Sequence, residues 1–313
     1  MSELSDNSAA SSRAYETIVV AKAGAHIGAV ISGVRIGEVD EWQAAGIRRA
    51  LTEHKVVFFI GQGHVDNTLH REFVKQLGAV TEAHPTIGTD RDVMLPIDSE
   101  RGRANSWHTD LTFIDRVPAV SILRAINLPP YGGTTVWANT SRAYKELHPS
   151  LPVMADSLWA VHTNLYDDAA GRDEKRAGGI NSQEKAYGAE FGQTEYVTEH
   201  PVVHIHPLSK ERAILLGHFV KHFVGMGSQD SNDLFQLLQR HITRLDNTVR
   251  WNWAPGDIAM WDNHVTQHYA VDDHDDQPRL LHRIMLAGSV PISVDGRRSR
   301  PVKGDASSFS AAA

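Results

Sequence analysis

The pattern of apolar and polar residues predicts many short strands along this chain. Residues 56–60 form a continuous apolar run of strand length that ends at Gly61, which is typical of a buried strand. Pro255, Gly256 and Asp257 predict a turn between two further apolar runs. The predicted strands are residues 18–20, 29–31, 56–60, 121–125, 249–253 and 258–261.

Apolar residues recur at helical spacing in three other segments. Residues 40–54, 69–77 and 233–244 each place apolar side chains on one helical face, with Ser231 or Asn232 as the N-cap of the third helix. Strands dominate the second half of the chain, and helices lie between them. The sequence therefore predicts a mainly β fold with inserted helices, a jelly-roll barrel rather than a doubly wound sheet.

Composition indicates a globular protein without a nucleic-acid or membrane partner. Hydrophobic residues make up 41% of the 313 positions, and the formal net charge of −7 provides no basic surface for nucleic acids or anionic membranes. No apolar run reaches the roughly 18 residues of a membrane span. The absence of cysteine excludes disulfides and thiolate metal sites, and it fits a cytoplasmic protein.

The chain is predicted to form one domain over residues 15–296, between flexible tails at 1–14 and 297–313. Residues 166–194 are polar and glycine-rich and lack periodicity, so a long loop is predicted there. Loops of that length are usually functional or disordered. We expect a mobile lid that becomes ordered when substrate binds.

His108 and Asp110 are candidate metal ligands because one residue separates them. Alternate residues of a strand point to the same face, so both side chains can bind one ion if this segment is a strand. His268 is the candidate third ligand and must come from another strand. Two histidines and one carboxylate are the ligands of non-haem Fe(II) oxygenases, in which the remaining positions on the metal stay open.

Other histidines compete for the role of third ligand, since the chain contains 18 of them. His264 lies four residues before His268, and His204 and His206 form a second pair at alternate positions. We interpret His204 and His206 as ordinary strand histidines. A two-histidine, one-carboxylate set also binds zinc, so a zinc hydrolase is an alternative to an iron oxygenase.

Several stretches resemble motifs of the taurine dioxygenase family, from about residue 19 to about residue 290. Residues 131–140 and 250–257 make the likeness closest to the alkylsulfatase branch. The segments similar to the two metal-ligand motifs are Trp107-His108-Thr109-Asp110-Leu111-Thr112-Phe113 and Trp261-Asp262-Asn263-His264-Val265-Thr266-Gln267-His268-Tyr269-Ala270.

This resemblance implies a double-stranded β-helix whose barrel mouth binds Fe(II) through His108, Asp110 and His268. It also implies 2-oxoglutarate as co-substrate and O₂ as oxidant. The related halogenases lack the carboxylate, so Asp110 indicates oxygen insertion rather than halogenation. His264 stands where relatives carry arginine, and the family gives it no ligand role.

The resemblance also implies roles for residues beyond the metal. Arg279 would bind the distal carboxylate of 2-oxoglutarate with help from the hydroxyl of Thr135, because a guanidinium can donate two parallel hydrogen bonds to a carboxylate. Arg283 would lie nearer the iron and contact the co-substrate and an anionic substrate. His84 matches the family histidine that hydrogen-bonds a sulfonate or sulfate group.

Two departures from the taurine-specific enzymes bear on the substrate. Ile87 replaces their tyrosine and Ala104 their asparagine, which removes polar contacts and argues against taurine. Ile87, Leu111 and the lid could line an apolar pocket, which favours a medium-chain alkyl sulfate ester that is cleaved to an aldehyde and inorganic sulfate.

Three questions stay open from the sequence. The same oxygenase chemistry could hydroxylate another small carboxylate, a sulfonate or a natural-product intermediate. A non-catalytic binding module is a further alternative. Family analogy predicts a homo-oligomer, either a dimer or a tetramer.

Overall fold

Strands outnumber helices in this computed structural model, which describes residues 17–87, 92–102, 104–165 and 182–309. The strands are β1 (Val19–Lys22), β2 (Ala29–Ser32), β3 (Val56–Phe59), β4 (Met94–Asp98), β5 (Val120–Asn127), β6 (Thr135–Asn139), β7 (Trp159–Thr163), β8 (Val197–Pro201), β9 (Val203–Ile205), β10 (Arg212–Ile214), β11 (Val220–Phe223), β12 (Thr248–Trp251), β13 (Ile258–Asp262), β14 (Thr266–Ala270), β15 (Leu280–Leu286) and β16 (Arg300–Lys303). The helices are α1 (Glu41–His54), α2 (Asn67–Leu77), α3 (Thr140–Lys145), α4 (Pro152–Ser157), α5 (Ser182–Phe191) and α6 (Ser228–Ile242), with a 3-10 turn at Leu245–Asn247.

A seven-stranded sheet packed on a three-stranded sheet builds the framework. The large sheet has the order β1-β2-β3-β13-β5-β15-β4, and the smaller one has the order β12-β6-β14. Among the described strands of the large sheet, only β2 and β3 pair in parallel. A four-stranded sheet, β11-β7-β8-β16, and the hairpin β9–β10 complete the β structure of the described residues.

Strand β3 shows how alternating side chains build both faces of the large sheet. Phe59 points toward the helical layer, where its ring meets that of Phe73 of α2 edge to face at 5.7 Å. Phe58 points to the opposite face and stacks on Trp251 of β12 with the ring centroids 4.0 Å apart. Because successive strand residues point to opposite faces, one apolar run supplies both the helix–sheet core and the sheet–sheet core.

The mainly β prediction with inserted helices is confirmed. Helix α1 begins after Asp40, which forms a capping box with Gln43. Helix α6 begins at Ser228, before the predicted start, so the predicted cap at Ser231 or Asn232 is wrong. Ser231 lies inside α6, and its hydroxyl accepts a hydrogen bond from the backbone N–H of Phe223.

The predicted loop over residues 166–194 is wrong for its second half, because residues 182–191 form α5. Helix α5 has almost no segregation of apolar residues to one face, which is why the periodicity did not reveal it. Residues 166–181 lie outside the described residues. The proposed ordering of this lid on substrate binding therefore stays a prediction.

The predicted C-terminal tail is wrong from Arg300 onward. Strand β16 pairs with β8, and Phe309 is only 2% exposed. An edge strand is held by backbone hydrogen bonds, which leave little signature in the side-chain pattern. The predicted N-terminal tail lies outside the described residues. None of the described helices is long and apolar enough to cross a membrane.

Glu211 joins three parts of the fold through two ion pairs. Its carboxylate lies 2.5 Å from the ammonium group of Lys55 and 2.6 Å from that of Lys145. Burial alone would raise the pKa of Glu211, but the hydrogen bonds from Lys145 and Lys55 outweigh burial and lower it to about 2. The charged carboxylate therefore stabilises the folded state.

We expect Glu211→Gln to lower the free energy of unfolding at pH 7 by roughly 2 kcal/mol. The folded pKa is depressed below its ordinary value of 4.5, so this stability is present above that pH and is lost as the pH falls toward about 2. Urea unfolding of both proteins across this range should show their stabilities converging in acid. Glu72→Gln, at an exposed position of α2, is the control and should be nearly neutral.

Candidate metal centre

Backbone pairing brings the two candidate histidine ligands together. The N–H of His108 donates to the carbonyl of His268 at 3.0 Å, and the N–H of His268 donates to the carbonyl of His108 at 2.8 Å. The two rings lie side by side with their centroids 4.1 Å apart. His268 belongs to β14, as predicted for the position of the candidate third ligand.

Asp110 lies at the start of a turn, which corrects the prediction that His108 and Asp110 share a strand. His108 forms an isolated bridge, and the chain turns immediately afterwards. Leu111 has a φ of 55°, in the left-handed region that side chains other than glycine rarely adopt. The segment is therefore not a regular strand, yet the side chains of His108 and Asp110 still converge.

The three side chains form a compact donor set. Nε2 of His108 and Nε2 of His268 lie 3.9 and 4.0 Å from Oδ1 of Asp110, and one ligand atom from each residue lies within 4.8 Å of the others. All three residues are buried. Within the described ranges, no second group of three such side chains is this close.

The competing histidines do not join this set. His204 hydrogen-bonds the carbonyl of His264 at 2.7 Å, and His206 lies 2.9 Å from a carboxylate oxygen of Asp262. His204 lies in strand β9 and His206 follows it, with both side chains buried.

The donors have the protonation states that a divalent metal needs. Burial lowers the pKa of His108 and lowers that of His268 to about 3, so both imidazoles are neutral. Nδ1 of His108 lies 2.7 Å from the carbonyl of Ser106 and donates to it, which leaves the Nε2 lone pair free. Burial would raise the pKa of Asp110, but the charge of Arg283, together with smaller contributions from the neighbouring histidines and the hydrogen bond from Ser121, outweighs burial and lowers it to about 2. Neutral nitrogens and a charged carboxylate fit Fe(II).

A chain of hydrogen bonds orients the carboxylate. Ser121 donates to Oδ2 of Asp110 at 2.6 Å, Asn263 donates to the hydroxyl of Ser121 at 2.9 Å, and the indole of Trp261 donates to Asn263 at 3.0 Å. Sequence reasoning missed Ser121 and Asn263. Asn263 lies within the quoted motif, which was a usable signal, whereas Ser121 is brought to Asp110 only by the folding of β5.

Arg283 of β15 lies directly beside the metal ligands. Its Nη1 donates to Oδ1 of Asp110 at 2.5 Å. Its Nε is buried and has no hydrogen-bond partner among the described residues. A buried, unpaired donor on a cation is costly unless a ligand accepts its hydrogen bond. The geometry therefore brings Arg283 to the site with one donor available for an anion.

Arg279 and Thr135 also lie together. Nε of Arg279 donates to the carbonyl of Gly133 at 2.8 Å, and Nη2 donates to the hydroxyl of Thr135 at 3.2 Å. The indole of Trp253, which sequence reasoning missed, donates to the same hydroxyl at 3.0 Å. Since the oxygen of Thr135 accepts both bonds, its own proton is available to a ligand.

Arg279 is a buried cation without a neutralising carboxylate among the described residues. The residue is 6% exposed, and burial lowers its pKa to about 10. In the part of the chain that the structure describes, no carboxylate lies within 4.0 Å of its guanidinium group. Isolated buried charges are strongly unfavourable, so this position fits a ligand carboxylate.

His84 presents a hydrogen-bond donor close to Arg283 and Asp110. Burial, followed by the charge of Arg283, lowers its pKa to about 3, so the ring is neutral. Nδ1 accepts hydrogen bonds from the backbone N–H groups of Thr86 and Ile87, each at 3.2 Å. The remaining proton is therefore on Nε2, which can donate to an anion.

Aromatic rings surround these polar groups. Phe113 and Phe191 lie 6.1 and 5.4 Å from the ring of His84, and Phe219 lies 6.2 Å from the ring of His108. Leu111 is buried in the same cluster as Phe113 and Phe219, and Phe191 packs against that cluster. These three phenylalanines were not among the predicted site residues, because isolated aromatic residues resemble core residues in a sequence.

The residues that depart from the taurine-specific pattern occupy different environments. Ile87 is buried in a small apolar cluster against which Phe191 also packs. Ala104 is exposed, and its carbonyl accepts a hydrogen bond from the N–H of Ala270 at 3.2 Å.

Comparison with known proteins gives consistent matches over most of the chain. Residues 20–285 match the family described as taurine catabolism dioxygenase TauD, TfdA family. An alpha-ketoglutarate-dependent sulfate ester dioxygenase from Pseudomonas putida is 49% identical over 283 residues, which cover 88% of this chain and 92% of the relative. An alkylsulfatase from Acinetobacter baylyi is 44% identical over 278 residues, which cover 88% of this chain and 86% of the relative.

A solved structure has the same architecture. The crystal structure of a taurine dioxygenase from Burkholderia xenovorans matches with a TM-score of 0.76 at 34% identity, covering 95% of this chain and all of the other. The predicted jelly roll is thereby confirmed.

We expect Asp110→Ala and His268→Ala to abolish near-stoichiometric Fe(II) binding, because each removes one donor of the set. Ser121→Ala should weaken binding by about 10–100-fold, since it only frees the carboxylate to reorient. Iron retained after anaerobic dialysis measures both effects. His148→Ala, which removes an exposed histidine, is the control, and retention of iron by the Asp110 variant would contradict the assigned ligand set.

Proposed function

The chain belongs to the TauD, TfdA family and is an Fe(II)- and 2-oxoglutarate-dependent dioxygenase, and we propose that it cleaves alkyl sulfate esters to an aldehyde and inorganic sulfate. The observation that carries the proposal is the unpaired Nε of buried Arg283 beside Asp110. This donor can bind a second anion next to the metal ligands. The sulfate ester dioxygenase and the alkylsulfatase among the relatives support this substrate class.

The metal would be held by His108, Asp110 and His268. When bound, Fe(II) together with 2-oxoglutarate and O₂ supplies the oxidising chemistry, in which one oxygen atom goes to the succinate product and one to the substrate carbon. Ser121 keeps the carboxylate of Asp110 oriented for this role. The protein's own contribution is to bind the two organic anions in a fixed relation to the metal ligands.

The co-substrate would be bound by Arg279 and Thr135. The guanidinium group is fixed by the carbonyl of Gly133, and the hydroxyl proton of Thr135 is available, so both can donate to the distal carboxylate of 2-oxoglutarate. Binding of the carboxylate neutralises the buried charge of Arg279. The same neutralisation makes this position selective for a dicarboxylate over a neutral ligand.

The sulfate group would be bound by Arg283 and His84. Arg283 contributes charge and the free Nε donor, while His84 contributes its Nε2 proton. Leu111, Ile87 and the surrounding phenylalanine rings would accommodate the alkyl tail. Holding the ester oxygen near the metal ligands places the adjacent C–H bond as the one to be oxidised.

The overall reaction is balanced as follows. The ester R–CH₂–OSO₃⁻ reacts with 2-oxoglutarate and O₂ to give R–CHO, sulfate, one proton, succinate and CO₂. Hydroxylation of the carbon that bears the sulfate gives an unstable hydroxy sulfate. Its C–O bond to sulfate breaks as the hydroxyl loses its proton, which forms the aldehyde without hydrolysis by water.

The association state and cellular location are further proposals. By analogy with the family, we expect a homo-oligomer, a dimer or a tetramer. The lack of cysteine fits a cytoplasmic enzyme.

The decisive experiment measures succinate and inorganic sulfate together from Fe(II)-loaded protein with 2-oxoglutarate and O₂. Linear alkyl sulfates of several chain lengths, taurine and a reaction without substrate are compared in parallel. We expect equimolar succinate and sulfate from alkyl sulfates and neither sulfite release nor stimulation of succinate formation with taurine. Succinate formation that no sulfate ester stimulates would overturn the substrate assignment while leaving the oxygenase intact.

Arg279→Lys should raise the KM for 2-oxoglutarate by about tenfold or more, because a lysine cannot make the same forked contact with a carboxylate. The KM for the sulfate ester should change little. Arg250→Lys is the matched control, since Arg250 is 53% exposed in its side chain and pairs with Asp273 nearby. Equal effects of Arg279→Lys on both KM values would contradict a separate co-substrate site.

A further inference from the structure

The C-terminal segment 299–309 lies outside the family match at 20–285, yet it packs against the metal centre's surroundings. This segment comprises Ser299, strand β16 and the turn that ends at Phe309. The proposed function assigns it no role. Its contacts reach two separate parts of the site.

The first set of contacts acts through strand β8 on the turn after Asp110. Thr198 donates to the carbonyl of Phe113 at 2.8 Å. Nε2 of His200 lies 2.8 Å from the carbonyl of Thr112 and 3.2 Å from that of Ile114. Three successive carbonyl groups of the turn that follows Asp110 are thus held by two buried side chains on one face of β8.

Ser299 completes the hydrogen bonding of His200. Burial lowers the pKa of His200 to about 4, so the ring is neutral, and its Nε2 must carry the proton because both of its partners are carbonyls. Nδ1 is then an acceptor, and the hydroxyl of Ser299 lies 2.6 Å from it. The first residue of the C-terminal segment therefore contacts the second ring nitrogen of His200, and the same hydroxyl lies 3.2 Å from the carbonyl of Pro291.

The second set of contacts acts through Phe309 on the irregular segment leading to His84. The carbonyl of Phe309 accepts a hydrogen bond from the N–H of Glu82 at 3.1 Å. Its side chain is 2% exposed and shares a buried cluster with Leu111 and Phe113. Phe309 is thus hydrogen-bonded to the segment that carries His84, and its side chain lies in the same buried cluster as two residues that follow Asp110.

Gly304 allows this close packing. It has a φ of 81°, and a Cβ atom at this position would lie 2.5 Å from a ring carbon of Tyr196. A side chain here would push the C-terminal segment away from the cluster.

We propose that the segment 299–309 is a positioning element of the active site. It fixes the distance between the turn bearing Asp110 and Leu111 and the segment bearing His84. On the proposed function, on which this inference rests, that distance sets how the sulfate group lies relative to the metal ligands. Phe309 and Ser299 are positioning residues, since they act through the groups that they contact.

Phe309→Ala is the central test, with Phe309→Leu as the conservative variant. We expect the KM for alkyl sulfates to rise about tenfold or more in Phe309→Ala, because a small misplacement of bound substrate is enough for such a loss. More 2-oxoglutarate should then be converted without sulfate release, so the ratio of succinate to sulfate should exceed the equimolar value. The KM for 2-oxoglutarate should be unchanged, iron should still be retained after anaerobic dialysis because all three donors remain, and Phe309→Leu should recover most of the coupling.

Truncation provides a matched pair of further variants. A chain ending at Asp305 loses Phe309, whereas a chain ending at Ser310 retains it and should behave as the full chain does. If the shorter chain does not fold, the point variants carry the test. A fall in succinate and sulfate together, with the ratio and the KM values unchanged, would overturn the proposal in favour of a purely structural role.

Amide hydrogen exchange separates this inference from the substrate assignment. Without any substrate, the backbone amides of residues 82–87 and 110–114 should exchange faster in Phe309→Ala than in the unaltered protein. Exchange in β3 and β13 should not change. This result would support the positioning role even if no alkyl sulfate were turned over. Unchanged exchange in both segments would overturn it whatever the substrate.

Discussion

The buried carboxylate of Asp110 is the group on which the site depends. It accepts hydrogen bonds from Arg283 on one oxygen and from Ser121 on the other, and two neutral imidazoles lie beside it. A carboxylate this deeply buried needs such partners, since desolvation alone would favour its protonated form. Its neighbours therefore maintain the charge that a divalent metal requires.

The balance of charge explains why this site suits anions. Arg279 and Arg283 are both buried, but only Arg283 has a carboxylate within reach among the described residues. With Fe(II) bound, the positive charges exceed the single negative charge of Asp110. A doubly charged 2-oxoglutarate and a singly charged sulfate ester would neutralise that excess, which ties the binding of both anions to that of the metal.

Outer contacts give this site its rigidity. Hydrogen bonds from Trp261 and Asn263 reach Asp110 through Ser121, and hydrogen bonds from β8 hold the carbonyls of the following turn. Leu111 adopts an unfavourable left-handed conformation within that turn. Contacts on both sides of the turn are consistent with a backbone conformation that local sequence preference alone would not select.

Local sequence alone determined the parts of this protein that depend on nearest neighbours. Strand β3 and helix α1 could be read from periodicity, and the motifs around His108 and His268 indicated the candidate ligand residues. The grouping of Arg279 with Thr135 was predicted only through family resemblance. Tertiary structure decided the turn at Asp110, the support from Ser121 and His200, and the place of Phe309. These contacts join residues far apart in the chain. Their hydrogen bonds and close packing produce no periodic pattern in the sequence.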